Sequence, residues 1–275
     1  MTGRRRKKRG CVTTLVLLAA LGAFIYHGNY TLESETYELR FKDLPEQFDG
    51  YRITVVSDLH AAVFGKDNAR LLDAVRAASP DIIALTGDVT DDRGQIPDVL
   101  KTVRGLVEIA PVYYVTGNHE WEKGEARELL RSLPGAGAVA LRNEIAPIER
   151  GGETIYLLGI DDPNGPADMK KPEEVFAELP EGFGVALVHR NTFLERLAPL
   201  GARLILCGHG HGGLIRLPGV GGLLGHDLKL FPKYSGGRYT IGGTEIIVSR
   251  GVGNHTGVPR RFNRPHIPTV VLRCN

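Results

Sequence analysis

Asp58-Leu59-His60 sets a carboxylate and an imidazole two residues apart, directly after the apolar run 53–57. Side chains alternate along a strand, so both project to one side as the chain leaves it, a spacing that suits a divalent transition metal. Gly87-Asp88 ends the run 82–86, with Asp91 three residues on. Gly87 permits close backbone approach, and the two oxygens of Asp88 could bridge two cations. Gly117-Asn118-His119-Glu120 ends the run 112–116. It offers a neutral carbonyl ligand in Asn118 and an imidazole, His119, that stands beside a metal without having to bind it. His189 closes the run 185–188, and Gly208-His209-Gly210-His211-Gly212-Gly213 follows 204–207.

Each group also has a plainer reading. Asp58 could cap a strand, Asp88 could make a turn or an N-cap, and His189 could be a satisfied structural residue. Only His209 and His211, two imidazoles in a glycine cage, resist a packing explanation alone. Five strand ends, each followed at once by a candidate ligand, are covered together by one two-metal hydrolytic site. Asp, His and Asn donors suit Mn, Fe, Zn or Co, with availability deciding among them.

The elements that must hold these groups alternate. Strands are predicted at 36–41, with Tyr37, Leu39 and Phe41 on one face, and at 52–57, 82–86, 112–116, 138–141, 145–148, 154–160, 185–189 and 204–207. Helices are predicted over 68–78, 96–109, 125–133, 172–178 and 192–200, and C-terminal strands at 214–217, 245–249 and 269–272. Such alternation implies layered α/β architecture with ligands bound where strands end.

The chain has 275 residues, 42% of them hydrophobic, enough for one α/β domain, placed at 29–275. Much of its glycine sits beside His and Asp, as tight functional loops require. The formal charge of +2 is misleading. Arg4, Arg5, Arg6, Lys7, Lys8 and Arg9 supply six cations in one run, and without them 28 Lys+Arg face 32 Asp+Glu, a balance of −4. So acidic a body argues against nucleic acid as a partner. Cys207 follows an apolar run and reads as a buried free thiol; nothing supports a bridge from it to Cys274.

Residues 1–10 form a basic leader and 11–28 an apolar transmembrane anchor or signal segment. The expected arrangement is a single-pass anchor with the leader in the cytoplasm and the catalytic domain outside the cell membrane. Ala20-Leu21-Gly22 offers a cleavage site, so export after cleavage is the alternative. This address suggests a membrane or cell-envelope substrate.

With these motifs in hand, the sequence resembles the calcineurin-like metallophosphoesterase superfamily. The family's ordered motifs D-x-H, G-D-x-x-D, G-N-H-E, a lone His and G-H-x-H stand here as Asp58-Leu59-His60, Gly87-Asp88-Val89-Thr90-Asp91, Gly117-Asn118-His119-Glu120, His189 and Gly208-His209-Gly210-His211. The segments Phe231-Pro232-Lys233-Tyr234, Ser249-Arg250-Gly251 and Arg261-Phe262-Asn263 resemble its membrane-associated bacterial branch. The resemblance implies a four-layer α-β-β-α sandwich with two mixed β-sheets. It implies one metal held by Asp58, His60, Asp88 and His211, and a second held by Asp88, Asn118, His189 and His209. It leaves His119 unligated, oriented by Asp91, as general acid. Two departures stand out. His189 is followed by Arg190-Asn191 where the family often has a nearby Pro, and Gly210 and Leu214 replace the usual Thr and Gln. Arg190 is then a candidate for substrate contact.

The expected reaction is hydrolysis of a phosphate ester, a phosphodiester in preference to a monoester, by a hydroxide shared between the metals, with His119, Asp91 and Asn118 as catalytic residues. The alternatives are a phosphomonoesterase, a catalytically silent metal-binding envelope protein, or a different metallohydrolase. Lys233, Arg260, Arg261 and Arg264 form a basic loop read either as a site for an anionic or lipid head group or as a solvated surface. Gly253-Asn254-His255 repeats motif letters but is read as a structural loop near the cleft; His27, His226 and His266 have no assigned role. Composition says nothing of the oligomeric state.

Overall fold

The protein is described here by a computed structural model for residues 2–91, 95–217, 219–225, 228–254 and 258–275, with backbone alone for residues 2–11. Short β-branched and apolar runs become strands of two six-stranded sheets. The first orders β1 (Glu33–Phe41), β14 (His266–Cys274), β2 (Arg52–Val56), β3 (Ile82–Thr86), β4 (Val112–Val115) and β5 (Val139–Ala140). The second orders β12 (Gly237–Ile241), β13 (Thr244–Val248), β9 (Leu204–Gly208), β8 (Phe183–Arg190), β7 (Glu153–Ile160) and β6 (Glu144–Arg150). Both sheets are mixed: β14–β2 is antiparallel within the first, and β12–β13 and β6–β7 within the second. A hairpin, β10 (Ile215–Leu217) and β11 (Gly221–Leu224), stands apart.

Side-chain alternation decides the layers. Ile53 and Val55 of β2, Ala84 of β3, Val185 and Leu187 of β8, and Leu204 and Leu206 of β9 meet in one core between the sheets. The intervening residues face outward. Val56, Ile83 and Leu85 pack against α2 (Ala69–Ala77), α3 (Ile96–Val107) and α5 (Ala126–Ser132) through Leu71, Val75, Val103 and Leu129. Ala186, Val188, Ile205 and Cys207 pack against α6 (Pro172–Ala177) and α7 (Leu194–Leu197) through Val175, Phe176 and Leu197. Helices, sheet, sheet and helices are the four expected layers. Cys207 is a buried free thiol and Cys274 is free, so no bridge joins them.

The structure departs from the sequence reading in a few places. The helix predicted over 192–200 breaks into α7 flanked by single 3₁₀ turns at Asn191–Phe193 and Ala198–Leu200, because Pro199 cannot donate to a continuing helix. Strands β11 and β12 and the short helix α4 (Asn118–Glu122) were not expected. Glycine-rich sequence hid the two strands, and the motif residues hid the helix. At the N-terminus, α1 (Thr2–Tyr30) runs beyond the expected apolar segment, and its stretch Val12–Tyr30 is long and apolar enough to cross a membrane.

Candidate metal centre

Strands β2, β3 and β4 are parallel neighbours, and so are β8, β9 and β13. Their C-terminal ends therefore open at common edges, and β3 faces both β8 and β9 across the sandwich. All five chemical groups lie at that edge. His189 continues the inward parity of Val185 and Leu187, so its ring points at the opposite sheet, where Nδ1 meets the Thr86 carbonyl oxygen at 2.8 Å. The register between β8 and β9 shifts between Leu187 and Arg190, beside His189.

Two donor clusters result, and His119 forms a further candidate group with His60 and Asp88 between them. In one, His60 Nε2 lies 3.2 Å from His211 Nε2 and 3.7 Å from Asp88 Oδ2, and His211 Nε2 lies 3.6 Å from Asp58 Oδ1. In the other, His189 Nε2 lies 3.2 Å from Asp88 Oδ2, 3.2 Å from Asn118 Oδ1 and 3.1 Å from His209 Nδ1. Asn118 turns its amide nitrogen away to Glu122 Oε1 at 3.2 Å, leaving the carbonyl aimed inward. Asp88 Oδ2 is common to both clusters.

The chemistry of these atoms fits cations. With neutral His189 donating its Nδ1–H to Thr86, four lone-pair atoms converge around Nε2, and they need a cation or a proton to coexist. Bonds of about 2.0–2.2 Å to a shared metal put ligand atoms roughly 3–3.5 Å apart, close to the spacing found. The charge balance agrees. Burial, aided by the Asp88 charge, pushes Asp58 up to about 6. Burial would raise Asp88 as well, but His189 and its neighbours hold it far below the usual carboxylate range. Burial opposes the His189 imidazolium, yet Asp88 outweighs it and lifts the group to about 10. Both opposed shifts have one cause, the need of the buried Asp88 carboxylate for positive charge beside it.

The backbone carries the cost of this convergence. Asp58, His60, Asp88, His209 and His211 all have left-handed φ, between 46° and 66°. Such residues cost energy and collect at functional sites. Gly87 is left-handed too, and a Cβ there would lie 2.6 Å from the Gly117 nitrogen and 2.8 Å from His189 Nδ1. Gly208 faces inward on β9, and a Cβ there would collide with Ser57 and Asp58. Both glycines are where two ligand loops touch.

His119 lies at the rim, its side chain 20% exposed, with Nε2 3.9 Å from Asp88 Oδ2 and its backbone N–H donating to Asp88 Oδ1 at 3.0 Å. Asp91 Oδ2 lies 4.0 Å from His60 Nδ1, and its Oδ1 accepts from Lys123 at 3.2 Å. Arg190 borders a pocket beside His189 and makes a two-pronged pair with Asp162, at 2.6 and 2.8 Å.

Several positioning residues were not found from sequence. Buried Glu120 accepts backbone N–H groups from Asp88, Val89, Thr90 and Gly117 at 2.6–3.2 Å, tying two ligand loops together. Burial and the Asp88 charge push it up to about 7 against those donors. Its place in the G-N-H-E motif was the available signal. Asn263 donates to the carbonyls of His211 and Gly213 at 2.6 and 2.9 Å.

The basic loop needs correction. Arg260 is buried behind His211, with Nη2 3.4 Å from His211 Nδ1 and bonded to the Gly253 carbonyl, and burial pulls it down to about 10. Arg264 donates to the carbonyls of Thr31 and Leu32, and Lys233 pairs with Glu195. Of the four cations, Arg260 and Arg264 are staples within the fold, because backbone carbonyls lie within their reach, while Lys233 makes an exposed surface pair. Gly253 N–H donates to the Asp58 carbonyl at 2.7 Å, so that loop lies at the cleft, while His255 and His226 lie outside the described residues.

Comparison with known proteins adds an independent line. The family described as Calcineurin-like phosphoesterase matches residues 51–213, which hold all seven candidate ligands. The uncharacterized metallophosphoesterase YkuE of Bacillus subtilis is 28% identical over 258 residues, covering 89% of this chain and 86% of its own. Phosphodiesterase YaeI of Escherichia coli is 28% identical over 286 residues, covering 99% and 100%. A transmembrane protein with metallophosphoesterase domain from Danio rerio is 26% identical over 293 residues, covering 96% of this chain and 63% of that longer protein. The family match spans more than half of the sequence and every motif at the cleft: the chain belongs to the calcineurin-like phosphoesterase family and is a metal-dependent phosphoesterase.

Proposed function

We propose that this enzyme hydrolyses a phosphodiester at a dinuclear centre. Asp58, His60, Asp88 and His211 hold one cation, Asp88, Asn118, His189 and His209 hold the other, and His119 serves as general acid. The observation that carries the reading is Asp88. One carboxylate oxygen, Oδ2, stands within 3.7 Å of His60 and 3.2 Å of His189, the position a ligand shared by two cations must take. Cations held by these residues would supply Lewis acidity, making a water nucleophilic at neutral pH and offsetting the negative charge of the phosphate.

The remaining work falls to the chain. His119 is fixed by its backbone bond to Asp88 and reaches the rim, where its imidazolium can deliver a proton to the departing alkoxide. Asn118, one residue away, presents its carbonyl to the centre, where it is read as helping to orient the phosphate. Asp91, beside the cluster and paired with Lys123, is read as the residue that orients His119. The diester preference is supported by a pocket of about 280 Å³ against His189, lined by Val188, Phe193, Met169 and Pro166, with room for a second ester substituent. The relative YaeI is named a phosphodiesterase, which supports the same reading. Helix α1 is read as the anchor, with the catalytic body outside the membrane and a membrane or cell-envelope ester as substrate.

The test is metal analysis followed by turnover on matched chromogenic phosphodiesters and phosphomonoesters, with Mn, Fe, Zn and Co loaded in turn. The expected result is two metals per chain and faster turnover of the diester. Bound metal with no turnover on either ester sinks the catalytic reading. Faster monoester cleavage sinks the diester preference.

A further inference from the structure

Isolated exposed apolar side chains are normal on a protein surface, but a group of them gathered on one face marks an interaction site. Here Leu228, Leu230 and Phe231 follow β11 and are 71%, 67% and 61% exposed. Val258 and Phe262 precede β14 and Val63 follows β2, all three exposed as well. These segments are joined. Ile215 of β10 bridges to Arg261, Arg216 N–H donates to the Arg261 carbonyl at 3.3 Å, and Leu224 of β11 bridges to Leu230. The hairpin therefore lies between the two apolar loops and makes them one rim.

That rim is continuous with α1. The Phe262 ring meets Phe24 edge-on, with centroids 5.1 Å apart, and Arg260 N–H donates to Asn29 Oδ1 at 2.8 Å. Val63 borders a pocket shared with Asn29, Tyr30 and the candidate ligand His60. Phe24 lies six residues before Tyr30, about 9 Å down the helix at 1.5 Å per residue. If Val12–Tyr30 crosses a bilayer, Phe262 sits at the depth where head groups meet acyl chains. The same loop reaches the metal cluster: Asn263 holds the His211 carbonyl at 2.6 Å, and Arg260 lies against the His211 ring.

We propose that these loops form a bilayer-contact face, seating the cleft against the membrane from which α1 emerges, so that the enzyme takes its phosphate ester from the lipid head-group layer. The contact face stands on geometry alone; the lipid substrate rests on the phosphodiesterase reading. Exposed Arg261 at the rim adds a cation suited to anionic head groups. A second copy of the chain covering the same apolar loops is the competing occupant.

Brominated lipids test the face without turnover. The chain has a single tryptophan, Trp121, whose indole N–H is bonded to Thr116. Leu230→Trp and Phe231→Trp would be reconstituted as full chains in phosphatidylcholine–phosphatidylglycerol vesicles, with Val139→Trp, exposed on β5, as control. Acyl-chain bromines are expected to quench the two rim variants at least about twofold more than the control and the unsubstituted chain, as interfacial insertion requires. Quenching equal to the control overturns the contact face, whether the loops are solvated or covered by a second copy. Leu230→Asp combined with Phe231→Asp is expected to slow a vesicle-borne lipid phosphodiester at least about tenfold relative to a soluble chromogenic one. Equal loss on both overturns the lipid substrate. No turnover of either ester by the unsubstituted, metal-loaded chain overturns the phosphodiesterase reading instead.

Discussion

Glu120 binds neither metal nor substrate in the proposed site, yet four backbone N–H groups from the Asp88 and Asn118 loops converge on its two oxygens. An amide in its place turns an NH₂ toward one pair of those donors. Glu120→Gln is therefore expected to weaken metal binding about 10–100-fold and to cost roughly 1–3 kcal/mol of stability. Metal titration and the urea midpoint check this, and unchanged values for both would show that the loops need no such tie. His119 is the opposite case, a residue of the reaction and not of the frame. His119→Ala should keep both metals and lose about 10²–10⁴ in rate, most steeply for esters with poor leaving groups. Metal loss on this substitution would make His119 a ligand instead of an acid.

At the level of elements, the pairing of β1 with β14 carries a pH dependence of its own, away from the metal cluster. His266 is buried at the start of β14, where Nδ1 accepts from Arg250 N–H at 3.3 Å and Nε2–H donates to Glu35 Oε2 on β1 at 3.1 Å. Burial pulls His266 down from 6.5 to about 4, and the His266 hydrogen bond, with burial opposing it, takes Glu35 down to about 2. Both folded values lie below the unfolded ones. Stability is then fully present above about pH 6.5; it falls as His266 titrates between 6.5 and 4, and falls again below 4.5 through Glu35. Urea midpoints from pH 7.5 down to pH 4 should drop for the unsubstituted chain, and His266→Gln should flatten the part between 6.5 and 4. Identical slopes for the two proteins would remove His266 as the cause.

For the molecule as a whole, left-handed positions at Asp58, His60, Asp88, His209 and His211 gather at one edge of the two sheets. Removing metal leaves Asp58 and Asp88 buried together without the cationic charge that would offset them. A chelator is expected to lower Tm by about 5–10 °C, as loss of a ligand present at roughly 100 times its Kd implies for a chain of this size. The shift should reverse on adding back Mn or Zn. A chelated protein with unchanged Tm would mean that the clusters are stable without metal.

What the sequence determined by itself was the list of candidate ligands that the fold brings together and the order of most of the elements. Apolar runs of five residues mark strands, and Asp, His and Asn immediately after them mark a strand-end site, because both signals are local. For the same reason Gly221–Leu224 and Gly237–Ile241 escaped notice: glycine has no side chain to show a period, and only pairing with a neighbour makes these segments strands. Long-range contact decided the rest. That Asp88 is shared by two clusters follows from β3 facing β8 and β9 across the core. That Arg260 is a buried staple and not a surface cation follows from its burial behind His211, 49 residues away in sequence. That the loop carrying Phe262 meets Phe24 of the apolar N-terminal helix follows from folding that joins the two ends of the chain. None of these depends on a pattern within one segment, so each could be settled only where distant segments meet.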